Sequence, residues 1–116
     1  MGLMQIITDQ ISLDELKKMA KNKFGNFVKA VIDLEKKVMV VNSDLHSDEE
    51  ALLLEQGSKQ QNLWGINLYP GERGGNFIEY DSMINLRPSQ NNLSRNVDDE
   101  KIREKIKVII DKLTKK

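Results

Sequence analysis

From Leu63 to Asn91 apolar and polar residues alternate along the chain. Trp64, Ile66 and Leu68 are separated by Gly65, Asn67 and Tyr69. After Pro70, Gly71, Gly74 and Gly75, the apolar Ile78, Tyr80, Ile84 and Leu86 run opposite in phase to Glu79, Asp81, Asn85 and Arg87. A period of two interrupted by a turn predicts a β-hairpin with one buried and one polar face. Pairing Tyr69 with Phe77 sets Leu68 against Ile78, Ile66 against Tyr80 and Trp64 against Ser82. The apolar sets then share a face, and a slip of one residue would send them to solvent. The other face carries Asn67, Glu79, Asp81, Asn85 and Arg87, a polar strip that is the chain's main candidate for a recognition surface.

The remaining pattern supplies the rest of a sheet and three helices. Met4 to Ile7 reads as a short edge strand. Phe27 to Leu34 and Val38 to Val41 read as a second hairpin around Glu35, Lys36 and Lys37. Both its faces are apolar, Ala30 and Ile32 against Val31, and Val38 and Val40 against Met39 and Val41, so it belongs in the middle of the sheet with the Trp64 hairpin beside it. Ser12 and Glu15 have the spacing of a capping box, and Ile11 and Leu16 that of a hydrophobic staple, predicting a helix over Leu13 to Asn22 with Leu13, Leu16 and Ala20 inward. Ser47 and Glu50 repeat the spacing and predict a helix over Ser47 to Gln56, closed by Gly57 at positive φ. The third helix is expected to open on Asp98 and to bury Ile102, Ile106, Ile109, Ile110 and Leu113, with Thr114 to Lys116 frayed. The expected fold is α+β, one domain over residues 1–116. A mostly antiparallel sheet of four to five strands, built from two hairpins, carries three helices mainly on one face.

Composition narrows the function classes. At 116 residues the chain can bury a core without staples. With no cysteine it can form neither disulfides nor thiolate metal sites, and a cytoplasmic setting is the simple expectation. Eighteen basic residues balance 18 acidic ones, which argues against nucleic-acid or membrane-surface binding through excess positive charge. The longest apolar runs are about four residues, far short of the ~20 that span a bilayer. Met1 to Asp9 has neither the basic start nor the apolar run of a signal peptide.

Few residues carry candidate chemistry. His46 is the only histidine and stands among Asp44, Asp48, Glu49 and Glu50. It reads either as a general base, with Glu50 or Glu79 as partner, or as a hydrogen-bonded residue at a helix entrance. With those carboxylates it also reads as a metal ligand, but one histidine without a second nitrogen or a thiolate makes a weak transition-metal site, so no metal and no cofactor are expected. Arg87 with Ser89 and Arg95 forms a polar loop whose guanidinium forks suit a phosphate or a carboxylate. Equally, Arg87 could pair with Glu79 or Asp81 across the strands. Trp64 reads as packing, with Ser82 as the expected partner of its N–H, whereas Tyr69 stands on the polar face.

The segments Leu45-His46 leading into Glu50-Ala51-Leu52-Leu53-Leu54-Glu55, then Gly57-Ser58 and Leu63-Trp64-Gly65-Ile66-Asn67, and later Ile84-Asn85-Leu86-Arg87-Pro88-Ser89-Gln90, resemble a family of small microbial proteins of unknown function. That resemblance covers nearly the whole chain. It implies no activity, and it makes His46, Trp64, Asn85 and Arg87 the residues to follow. Three functional readings stand. The first is a domain binding an anionic small molecule or partner through Asn67, Tyr69, Asn85, Arg87, Ser89 and Arg95. The second is a small hydrolase or nuclease with His46 as base, Glu50 or Glu79 assisting and Arg87 stabilising charge. The third is a homodimer through the sheet face or an exposed edge strand.

Overall fold

The computed structural model describes residues 3–116, so Met1 and Gly2 of the expected domain lie outside the described residues. The chain runs β1 (Gln5–Ile7), β2 (Ile11–Ser12), α1 (Leu13–Asn22), β3 (Val28–Asp33), β4 (Val38–Ser43), α2 (His46–Glu55), β5 (Leu63–Leu68), β6 (Ile78–Glu79), α3 (Glu100–Leu113) and β7 (Thr114–Lys115). The fold is α+β. β1, β4, β3, β5 and β6 lie in that order in an antiparallel sheet, and β2 pairs in parallel with β7.

The two-sided apolar hairpin sits where its pattern demands, with β3 and β4 inside the sheet and β5 against β3. One face carries Ala30, Ile32, Met39, Val41, Trp64, Ile66 and Leu68, and packs on Leu16, Met19 and Ala20 of α1 and Ile106, Ile109 and Ile110 of α3. On the other face Val31, Val40 and Leu63 meet Leu53 of α2. Two helices thus cover one face and a third part of the other. Full burial of each large side chain contributes roughly 1.5–3 kcal/mol, so Trp64, Ile66 and Leu68 together hold β5 in register.

The helix ends follow local chemistry. Ser12 Oγ accepts from Glu15 N at 3.1 Å, the expected cap of α1. The expected box at Ser47 and Glu50 does not form. α2 begins one residue earlier with Leu45 in the capping position and no side-chain cap. α3 starts a residue or two later than expected and is capped by Asp99, whose Oδ1 accepts from Lys101 N at 2.8 Å. Asp98 instead accepts from Leu93 N and Ser94 Oγ, holding the preceding loop. Thr114 is buried and pairs with Ile11, so the tail expected to fray is tied down as a strand. Gly57 takes φ +90, as its place after α2 requires.

The second hairpin agrees with its expected register only near the turn. Tyr69 N donates to Phe77 O at 2.9 Å, and Leu68 pairs with Ile78 and Asn67 with Glu79. Beyond Glu79 the ladder stops. Ile66 does not pair with Tyr80, nor Trp64 with Ser82, because Ser82 N turns away to Arg95 O and residues Met83–Asn85 wind into a 3₁₀ turn. Ile84 reaches the second apolar cluster, while Asn85 and Arg87, expected on the solvent face, are buried.

Candidate functional site

Where β6 ends, β5 still presents backbone groups that a partner strand would normally satisfy. Side chains take that strand's place. Asn85 Oδ1 accepts from Gly65 N at 2.8 Å, and Asn85 Nδ2 donates to Gly65 O at 2.9 Å. The side-chain amide thus reproduces the donor and acceptor of a backbone peptide. Arg87 continues the edge. Its Nε donates to Ile84 O at 3.0 Å, Nη1 to Gln60 O at 2.9 Å and Gln90 Oε1 at 3.3 Å, and Nη2 to Leu63 O and, at 3.5 Å, Glu50 Oε2. Those acceptors match the five N–H donors of a guanidinium. Arg87 Cζ also lies 4.9 Å from the centre of the Trp64 ring. Burial lowers the Arg87 pKa, and Glu50 opposes that shift. Arg87 therefore has no donor left for an incoming anion without breaking one of these bonds.

His46 opens α2 and is buried against the sheet, its Nε2 2.8 Å from Ile66 O. A carbonyl only accepts, so Nε2 carries the proton. Burial lowers the pKa of His46 from 6.5 to about 4, with the Ile66 carbonyl opposing. The ring is neutral at pH 7 and ties α2 to β5. One turn on, Glu49 is fully buried, with Oε2 accepting from Ser43 N at 3.1 Å. Desolvation pushes its pKa well above the usual carboxylate range, partly opposed by the Ser43 bond. Ser43 is in reach because Asn42, at φ +77, bulges out of β4 between the pairs Lys29–Ser43 and Ala30–Val41.

The sequence candidates fall into two groups. Glu50 and Arg87 meet beside the first turns of α2, Glu50 accepting from Arg87 Nη2 at 3.5 Å, while His46 on the same helix bonds the backbone at Ile66 O and neither of them. Asn67, Tyr69 and Glu79 gather around β6, Glu79 Oε1 accepting from Asn67 Nδ2 at 2.9 Å and Tyr69 Oη at 3.0 Å. The Tyr69 pKa is raised by desolvation and then by Glu79. Arg95 joins this second group through its 2.6 Å pair with Asp81, whose carbonyl lies 3.5 Å from Asn67 Nδ2. Asn85 belongs to the β5 edge, and Ser89 sits exposed in a 3₁₀ turn. Ser82 Oγ accepts from Ile84 N, and the Trp64 Nε1 expected to find it has no partner among the described residues.

Sequence reasoning missed the neighbours of this second group. Lys29 stands across from Asn67, which stands across from Glu79, so the three form one row across β3, β5 and β6. Phe27 precedes β3 next to Tyr69, with ring centres 5.4 Å apart, and Phe24 stacks on Phe27 at 4.7 Å. The Lys29 ammonium lies 5.3 and 5.9 Å from those two phenyl rings. Lys29 and Phe27 share the phase of Val31 along β3, a signal available once β3 is placed beside β5. α2 covers the neighbouring part of this face and leaves the row partly open.

Residues 5–113 match the family model described as a protein of unknown function (DUF5674). The chain belongs to that family. The match spans both groups of candidate residues and nearly the full fold, so the strand order and the side-chain edge of β5 lie within the family's extent. No curated protein and no solved structure matches the chain. Among the described residues no cluster of three or more histidine, aspartate or glutamate side chains could hold a metal ion. No helix there is long and apolar enough to cross a membrane.

Proposed function

We propose that this protein is a binding module that takes an anionic small molecule on the open end of the sheet face, with Lys29 as the charge anchor. The observation that carries this reading is the setting of Lys29. It is half-buried over Phe24 and Phe27 and makes no ion pair among the described residues. Glu79 is two strands away, about 10 Å by strand spacing, and is already engaged by Asn67 and Tyr69. An ammonium over aromatic faces with no carboxylate at ion-pair distance, Glu49 only feeling its charge from within the fold, is open to an external anion. Arg95 is half-exposed with only Nε engaged, and supplies a second cation nearby. Recognition thus shifts from Arg87, whose donors are spent internally, to Lys29 and Arg95. The hydrolase reading gains no comparable support, since His46 donates to a backbone carbonyl and titrates near 4.

The test is thermal stability in the presence of inorganic phosphate, nucleotides and phosphorylated metabolites. A binder present at 100 times its dissociation constant adds about 2.7 kcal/mol. The stabilisation should vanish in Lys29→Ala and shrink in Arg95→Ala. Absence of any anion effect, or an effect of equal size in Lys29→Ala, overturns the reading.

A further inference from the structure

Loops usually turn polar side chains outward; the segment from Leu86 to Leu93 does so at Ser89, Gln90 and Asn91 but reverses the rule at its two ends, where Arg87 and Asn92 are buried and the leucines exposed. Arg87 and Asn92 form a β-bridge, with Arg87 N to Asn92 O at 2.8 Å and Asn92 N to Arg87 O at 3.0 Å, and both side chains are buried. The next residues outward, Leu86 and Leu93, therefore lie side by side on the opposite, solvent face, 45% and 71% exposed. The loop is built to stay in this conformation. Asn92 Nδ2 donates to the carbonyls of Asn85, Ser94 and Asn96, its Oδ1 accepts from Asp98 N, and Arg87 anchors the bridge to three further carbonyls. Asn85 and Arg87 close the β5 edge, and the bonds that do so also fix two leucines in water, which the edge itself does not require. A rigid apolar pair on a loop is the form of a docking element.

The surroundings of the pair select its partner. Asp98 accepts from Leu93 N, the bond from Ser94 keeps its carboxyl below the usual range, and Asp99 and Glu100 follow it. Packing this loop against its own copy would bring like charges together. A complementary surface needs apolar floor and excess lysine, and this chain carries one. Along α3 a groove of about 800 Å³ has Leu34, Val108 and Ile109 as its floor, Val108 being 65% exposed. Lys37, Lys101 and Lys105 outnumber Glu35 and Glu104 on its walls, and a second hollow that shares Lys37, Val108 and Ile109 adds Lys36 and Lys112 against Asp9.

We infer that the Leu86–Leu93 loop of one copy of this protein docks in the α3 groove of a second copy, leucines on Val108 and Asp98–Glu100 against the groove lysines. The contact joins two different surfaces, so each can be disabled separately. Both patches are small, which makes the association weak and salt-sensitive.

Sedimentation of the full chain at low salt, from about 1 μM to about 1 mM, brackets weak contacts of this kind. Mass should rise with concentration and fall back on adding salt. Leu93→Asp and Val108→Asp, both at exposed positions and checked for an unchanged circular dichroism melt, should each weaken association at least tenfold. An equimolar mixture of the two variants should recover dimers, because the intact loop of one meets the intact groove of the other. A mass that stays that of one chain throughout overturns the inference. So does association that survives either variant, or a mixture that fails to recover dimers.

Discussion

Asn85 and Arg87 show how one side chain can do the work of a length of strand. An asparagine amide has the same donor and acceptor as a peptide group, and at Gly65 it meets both backbone atoms that the shortened hairpin leaves open. The arrangement needs a bare Cα on β5. A Cβ on Gly65 would stand 2.6 Å from Ser82 Cβ and Oγ, closer than atoms can pack. Gly65→Ala should therefore destabilise the protein by about 2 kcal/mol, the usual scale for forcing one extra carbon into a filled site. A urea midpoint unchanged from wild type would mean that the Ser82 turn gives way freely. The polar residue types at 85 and 87 are visible in the sequence, but their burial is not. Alternation reports which positions share a face only while the backbone stays in a ladder, and here it leaves the ladder after Glu79.

At the scale of elements, agreement with the sequence tracks how local each signal is. The Ser12 cap, the apolar stripe of α3 and the two-sided β3–β4 hairpin depend on neighbours a few residues apart, and each is found as read. The capping box at Ser47 and Glu50 is equally local and still fails, because Glu50 is drawn to Arg87 and His46 to Ile66 O, which starts the helix a residue early. Leu45 is left in the capping position, more than half exposed, with extended φ −132 and ψ 132 and no side-chain oxygen to offer. Leu45→Ser should consequently stabilise the protein by about 1 kcal/mol, the typical value of an N-cap oxygen. Thermal denaturation of the single variant checks the sign, and a lowered melting temperature would contradict it. β7 is the opposite case. Two residues pair with Ile11 and Ser12 about a hundred positions earlier, a contact that no local pattern announces.

For the molecule as a whole, α2 and the sheet clasp two titratable groups with opposite demands. His46 is depressed to about 4 by burial and Glu49 is raised by burial. For His46 the unfolded chain takes up its proton at about 6.5 and the fold resists it. The stability of the neutral ring is then complete above that pH and is lost as pH falls toward 4. The loss is on the order of 3 kcal/mol from the size of the shift. For Glu49 the fold holds the proton longer than the unfolded chain, so that contribution is present in acid and fades as pH rises through its raised value. His46→Gln, which can still donate to Ile66 O, should flatten the decline in urea midpoint between pH 7 and pH 4.5. Parallel declines in both proteins would remove His46 as the cause. The sequence alone determined the α+β class, the central hairpin, the inward stripe of α3 and the phase of β5, because short-range periodicity and burial dictate them; it missed Met19 on α1 and the burial of His46 and Glu49 on α2. Only the tertiary structure decided where the hairpin ends, that Arg87 serves the fold, and that Lys29 stands beside Asn67. Those outcomes depend on which distant backbone groups are left unpaired when the sheet and helices close around them.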